Sequence, residues 1–183
     1  MGDQEYFNER PISTQQSGFV FVAQMRSELL DPIGGVLWFG TDDANMTVFT
    51  PVYCCTDRVP VCYTRVDGAD YITFSWNSAF WIFNWVANMV YPRYDLMMGD
   101  VRATQTELET TFNEAQEGVE AAAAKLLEKD PAKAKAFLTN YTNMTAQSTF
   151  DTWKRLGEFL VVKYNDGVVK RMKNGQFERN SIA

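Results

Sequence analysis

The stretch from residue 13 to residue 53 limits what this chain can fold into more than any other part of it. Its first run, Gly18-Phe-Val-Phe-Val-Ala-Gln-Met-Arg26, is rich in β-branched and aromatic residues, lacks helical spacing and is bounded by Gly18 and the Asp31-Pro32 turn. That combination predicts a strand. A second run, Ile33-Gly-Gly-Val-Leu-Trp-Phe39, and a third, Met46-Thr-Val-Phe-Thr-Pro-Val-Tyr53, are separated only by the turn-forming Gly40-Thr-Asp-Asp-Ala-Asn45. Connections this short make the three strands antiparallel neighbours, because a parallel pair needs a crossover of about a dozen residues or more. Several positions are apolar on both faces, so the sheet is expected to be covered on both sides.

The periodicity changes twice beyond the strands. Residues 54–73 carry turn chemistry in Thr56-Asp-Arg-Val-Pro60 and Val66-Asp-Gly-Ala-Asp70, which predicts a loop with at most short strands. From Ser75, a plausible N-cap, to Pro92 the chain reads as a helix that is apolar almost all round and therefore buried all round. Its Trp76 and Trp81 are expected in the core, with a substrate pocket as the alternative, and Asn77, Asn84 and Asn88 each need a hydrogen-bond partner if buried. Val101, Leu108, Phe112, Ala115, Val119, Ala122 and Leu126 then fall on one helical stripe, with Glu107, Glu109, Glu114 and Glu117 facing elsewhere. This predicts a long amphipathic helix ended by Lys129-Asp130-Pro131, followed by two further helices over 131–141 and 146–163 and a stop at Asn165-Asp166-Gly167. Residues 1–12 read as an irregular lead-in and residues 170–183 as a tail that frays. No Gly-, Pro- or Ser-rich linker divides the chain, so a single α+β domain over 1–183 is expected: strand-rich 13–73, an aromatic helix 75–91 and a helical region 101–164.

Composition removes more functions than the motifs suggest. The 183 residues carry a net charge of -6 with no run of basic residues, which argues against a nucleic-acid or anionic-membrane surface. No run of about 18 apolar residues suggests a membrane span. Histidine is absent, so no Ser-His-Asp or Cys-His pair can be assembled within the chain, and a zinc hydrolase would lack its commonest ligand. The nucleophilic scheme that does not need histidine is a terminal Cys, Ser or Thr whose own α-amino group takes the proton. Cys54, Cys55 and Cys62 have no CxxC spacing and are expected as unpaired, largely buried thiols, with no metal site and no cofactor. Three Asn-x-Thr triplets, at Asn45, Asn140 and Asn143, are short enough to arise by chance and are assigned no function.

Several ordered blocks carry a family resemblance. Arg10-Pro-Ile12, Gln24-Met-Arg26, Asp31-Pro-Ile-Gly-Gly-Val-Leu-Trp38, Asp42-Asp43, Pro51-Val-Tyr-Cys54, Trp81-Ile-Phe-Asn-Trp-Val-Ala-Asn88 and Val162-Lys-Tyr-Asn-Asp-Gly167 resemble the C-terminal portion of the cysteine dipeptidase A and secernin-like family of N-terminal-nucleophile hydrolases. The resemblance implies an α+β fold in which this antiparallel sheet packed with helices forms part of an αββα sandwich, with a helical C-terminal half. It also implies a nucleophilic cysteine at a mature N-terminus, whereas this sequence opens Met1-Gly2-Asp3. The expected partners are therefore an N-terminal segment carrying that cysteine and a dipeptide or short-peptide substrate, and a lone half is expected to form a homo-oligomer through its exposed edge or face.

Enzymes of that class surround the terminal thiol with an Arg, an Asp and amide donors aimed where negative charge develops. The corresponding candidates are Arg10, Arg26 and the Asp42-Asp43 pair, Asp43 above all, with Trp76 and Asn77 as pocket candidates. Against these stand blander roles, since tandem Asp is common in tight turns. The resulting reading is the C-terminal part of a cysteine-type dipeptidase, inactive alone. Its alternatives are a non-catalytic binding or scaffold domain derived from that family, and an unrelated α+β module that uses the acidic face of the 101–129 helix to meet a partner.

Overall fold

The computed structural model describes residues 10–178, so Met1-Gly2-Asp3, most of the expected lead-in and the last five residues of the expected tail lie outside the described residues. Three strands, β1 (Phe19–Met25), β2 (Gly35–Thr41) and β3 (Thr50–Tyr53), form an antiparallel sheet in the order β1-β2-β3. Phe21 pairs with Phe39, and Leu37 with Val52. The helices are α1 (Asp31–Gly34), a single turn, α2 (Ala79–Val90), α3 (Tyr94–Leu127) and α4 (Pro131–Tyr164). Three-residue 3-10 turns lie at Val61–Tyr63, Val66–Gly68, Tyr91–Arg93 and Asn165–Gly167, and a small hairpin of β4 (Met172–Lys173) and β5 (Gln176–Phe177) follows them. The chain is thus α+β, with a small antiparallel sheet against helices and a helical C-terminal half.

The second and third apolar runs are only partly strand. Pro32 sits in the first turn of α1, where its missing N–H costs nothing, so Asp31–Gly34 coils before β2 begins. In the third run Met46 and Val48 are fully buried yet precede β3. Their stretch of backbone is bonded to α3 side chains instead of a ladder: Gln105 Nε2 donates to the carbonyls of Asn45 (3.1 Å) and Thr47 (2.5 Å), and Phe49 N–H donates to Glu109 (3.0 Å).

Alternation along the strands places Gln24, Val36, Trp38 and Tyr53 on one face and Phe19, Phe21, Met25, Leu37, Phe39 and Val52 on the other. The first face packs on α3 and α4, with Val36, Tyr53, Ala123 and Leu138 in one cluster. The second is not covered by any described residue along β1, where Phe19, Phe21 and Met25 are 61%, 51% and 60% exposed. This corrects the expectation of a sheet covered on both sides.

Helix α2 starts at Ala79, not at Ser75. Ser75 instead donates its hydroxyl to Asp67 (2.7 Å) in the preceding loop. Nor is α2 buried all round: Ile82, Phe83, Val86 and Val90 are interior, whereas Phe80, Trp81 and Trp85 are half-buried and Asn88 is exposed. Phe83 stacks on Trp153 of α4 at 4.7 Å. Gly157 lets the two helices close in, since a Cβ there would meet the Trp85 ring at 2.2 Å.

Helices α3 and α4 make an antiparallel hairpin, each helix 34 residues and so about 50 Å long. Asp130 caps α4, accepting from Ala132 N (3.1 Å) and Lys133 N (3.2 Å). The two helices expected over 131–141 and 146–163 are one. No Gly or Pro lies between them at residues 142–145, and Thr145 turns its hydroxyl back onto the carbonyls of Tyr141 and Thr142 (both 3.0 Å). The α3 stripe faces this interior, with Val101 and Phe112 buried and Leu108, Ala115, Val119, Ala122 and Leu126 partly buried, which weakens the reading of this helix as a partner surface. The expected stop is met at Asn165–Gly167, where Gly167 has φ 73°. Part of the expected fraying tail is instead the β4–β5 hairpin, turned by Asn174-Gly175 at φ 50° and 76°, with Phe177 against Phe159 at 5.4 Å.

Candidate functional site

The outward face of β2 ends at Thr41, beside an open cavity. A cavity of about 450 Å³ is lined there by Phe19, Phe39, Thr41, Tyr63, Asp70 and Phe80, among others. One wall is an aromatic row, Phe19 to Phe39 at 6.0 Å and Phe39 to Tyr63 at 5.2 Å. The facing wall is the loop of residues 64–71, fixed to α2 by Trp81, whose Nε1 donates to the carbonyls of Asp70 (2.9 Å) and Thr73 (2.8 Å). Thr41 is 7% exposed and its Oγ1 has no hydrogen-bond partner among the described residues.

Immediately behind Thr41 the chain turns through Asp42 and Asp43, both fully buried. Asp42 adopts φ 67°, a left-handed conformation that Asp tolerates, and its N–H donates to the Gly18 carbonyl at 3.0 Å. Its Oδ1 accepts from Asn84 Nδ2 (3.1 Å), while Oδ2 has no partner among the described residues. Burial pushes the Asp42 carboxyl up to about 6, assisted by the charge of Asp43 and opposed by the bonds from Asn84 and the Asp43 N–H. Asp43 is well served: Ser13 and Tyr91 hydroxyls donate to its two oxygens, and the Asn45 N–H donates at 2.7 Å. Burial first, then Asp43, raises the Tyr91 hydroxyl to about 12. Asn84 thus has the partner that a polar residue in this helix requires, and Asn88 bonds back to the Asn84 carbonyl (2.8 Å).

The other candidates are dispersed. Arg10 is exposed. Arg26 lies on the helix side of the sheet in a bidentate pair with Glu120 (2.6 and 2.8 Å), with Tyr53 donating to the same carboxylate (3.2 Å). Trp76 stands edge-on to Phe74 (4.8 Å) and Trp85 (5.2 Å) beside a separate shallow groove with Val161 and Val162. Asn77 donates to Asp67 (2.8 Å). None of the named set lines the cavity; the Asp42-Asp43 pair lies nearest along the chain, Asp42 following the lining residue Thr41 directly. Thr41, Tyr63 and Phe80 were not singled out from the sequence, because no local pattern connects residues that meet only when α2 closes over the end of β2.

The thiols offer no nucleophile at this site. All three cysteines are free. Cys62 lines the cavity, but burial drives its thiol up to about 11. Burial also raises Cys55. Cys54 is exposed, contrary to the expectation of buried thiols, because it follows the end of β3 on the uncovered face. No group of three or more His, Cys, Asp or Glu among the described residues is placed to hold a metal ion. No described helix is long and apolar enough to cross a membrane.

The sheet is thus backed by helices on one side, with a cavity at the end of its other face near two buried carboxylates. A family model for peptidase family C69 matches residues 2–107, which include the whole three-stranded sheet and α2. The chain belongs to peptidase family C69, and its function is accordingly of the peptidase type, within a hydrolase family that includes dipeptidases. No curated protein matches it.

Proposed function

We propose that this chain is the C-terminal part of a cysteine-type dipeptidase of the N-terminal-nucleophile kind, acting with a segment outside these residues that carries the nucleophilic cysteine at its N-terminus. The observation that carries the reading is the apolar face of the sheet that no described residue covers along β1, where Phe19, Phe21 and Met25 are exposed beside half-buried Leu37, Phe39 and Val52. A face of this kind fits a second sheet laid over it about 10 Å away, with side chains interdigitating from both layers. The cavity at Thr41 would then open at the rim of the joint between layers.

The thiol chemistry supports the same division of labour. With no histidine in the sequence and the buried Cys62 pushed upward, no internal cysteine has a base to activate it. A terminal cysteine carries its own base in its α-amino group. In this reading Asp43 and Arg10 stand beside that terminus, Asp43 as a fixed acceptor held by Ser13 and Tyr91, and Arg10 as a donor toward developing negative charge. The chain alone does not cleave peptides.

Dipeptide release by the 183-residue chain, alone and joined to the cysteine-bearing segment, tests this. No turnover is expected from the chain alone; turnover that depends on the terminal cysteine is expected from the joined form. Asp43→Asn and Arg10→Ala in that form should lower kcat more than they raise KM, as for groups that act mainly in the transition state. Turnover by the lone chain that is lost on changing Cys54, Cys55 or Cys62 to Ala would overturn the reading. An inactive joined form would leave the scaffold reading.

A further inference from the structure

We propose that the cavity at the Thr41 end of the sheet holds the aromatic side chain of a short peptide, an inference that rests on the peptidase reading and narrows its substrate class. Its volume of about 450 Å³ falls among ligand pockets, which run from roughly 300 to 1,000 Å³ and pair apolar walls with a few placed polar groups. The Phe19, Phe39 and Tyr63 rings already follow one another at 6.0 and 5.2 Å, spacings at which aromatic rings attract. Phe80 of α2 closes the other side, so an entering ring meets aromatic carbon on both walls.

The polar groups suit the rest of such a ligand. Thr41 Oγ1 is buried without a partner among the described residues, and a group in that condition calls for an explanation that a ligand supplies. A hydroxyl both donates and accepts, so it can meet a phenol or a peptide amide. At the opening, Arg65 and Asp70 form an ion pair at 3.1 Å, with Arg65 largely exposed. The two charges stand opposite in sign to the carboxylate and ammonium of a zwitterionic dipeptide. Trp81 holds the Asp70 backbone in place, so this wall is set before any ligand enters.

Saturation-transfer NMR on the 183-residue chain with Phe-Gly, Tyr-Gly and Gly-Gly as probes tests the assignment. Aromatic protons of Phe-Gly and Tyr-Gly should take up saturation, and Gly-Gly should not. Gly18→Leu is the blocking variant: Gly18 lines the cavity, and a Cβ added there meets nothing within 4 Å, so the fold should tolerate it while the opening fills. It should weaken Phe-Gly binding roughly tenfold or more with an unchanged melting temperature. Thr41→Val should weaken Tyr-Gly more than Phe-Gly. Equal signals from Phe-Gly and Gly-Gly, or full binding by Gly18→Leu, would overturn the proposal.

The joined enzyme separates this inference from the one beneath it. Dipeptide cleavage with no aromatic preference, unchanged by Gly18→Leu, would remove the cavity assignment and leave the peptidase reading. Aromatic-selective binding in a joined form without turnover would do the reverse. A Gly18→Leu chain that no longer assembles with its other segment would show that the cavity receives a side chain of the second layer, and the proposal would fall.

Discussion

Asp42 makes a test of the site's electrostatics that needs no substrate. Its carboxyl ionises near 6 in the folded chain against 3.8 when exposed, so the folded state binds the proton more tightly than the unfolded state. Stability from this group is therefore fully present below about 3.8, declines as pH rises toward 6 and is gone above it. A shift of about 2 units is worth about 3 kcal/mol, and at neutral pH it is a penalty. Asp42→Asn removes the titration while keeping a side chain that tolerates φ 67° and can still accept from Asn84. Urea unfolding of both proteins from pH 4 to pH 8 should show the Asn variant gaining on the wild type by about 2.5 kcal/mol across that interval, most of it below pH 6.5. The difference between the two curves is the readout, because every other carboxylate titrates in both. Parallel curves would refute the reasoning and mean that Asp42 is solvated by a route the geometry does not contain.

Three other changes probe the remaining parts of the argument. Gly157→Ala should destabilise by about 1–3 kcal/mol, since the new methyl must displace the Trp85 ring at the α2–α4 contact; an unchanged urea midpoint would show that the ring moves freely. Arg26→Ala should cost about 1–3 kcal/mol by removing a charge-assisted pair to Glu120, which keeps bonds from Tyr53 and Gln116, yet should not alter kcat in the joined enzyme; a kcat loss at unchanged stability would return Arg26 to the site. The uncovered face should draw copies of the chain together, so light scattering at high concentration should report a dimer or larger species and Phe21→Glu should reduce it; a monodisperse wild-type monomer would count against that.

What the sequence made legible was whatever depends on local period. The antiparallel order of β1, β2 and β3 followed from connections too short to cross over, and the end of α4 followed from Asn165-Asp166-Gly167. What it hid depends on partners far along the chain. Met46–Phe49 has strand composition, but Gln105 and Glu109 take its backbone bonds, so the strand begins only at Thr50. The break expected in α4 failed because Thr142 and Thr145 are not loop formers when their hydroxyls have uses: Thr142 Oγ1 accepts from Tyr53 N–H at 3.2 Å and Thr145 caps carbonyls within its own helix. Asn174-Gly175 was a readable hairpin signal, hidden within a tail judged by its charge. The site was legible only at the Asp42-Asp43 doublet. The doublet itself does not line the cavity, whose walls come from β1, β2, the Val61–Tyr63 turn, the loop of residues 64–71 and α2, which no spacing in the sequence connects.

That doublet also shows where the fold departs from its own stability. Asp43 and Asp42 are adjacent, equally inaccessible and treated differently: one receives two hydroxyls and an amide, the other the Asn84 amide and the Asp43 N–H, with one oxygen that has no partner among the described residues. Packing alone does not produce this asymmetry, since a core that wanted only to be filled would accept Asn at position 42 and avoid the charge. Departures of this kind concentrate at functional sites, where a group is kept in a state that the surrounding structure must hold. Asp42 turns the chain at the end of β2, so its left-handed conformation sets the direction in which Thr41 meets the cavity and Asp43 meets Tyr91. The left-handed turn and the two buried oxygens that have no partner among the described residues, on Asp42 and Thr41, therefore fall within two consecutive residues, at the rim of the apolar sheet face that the described helices leave open.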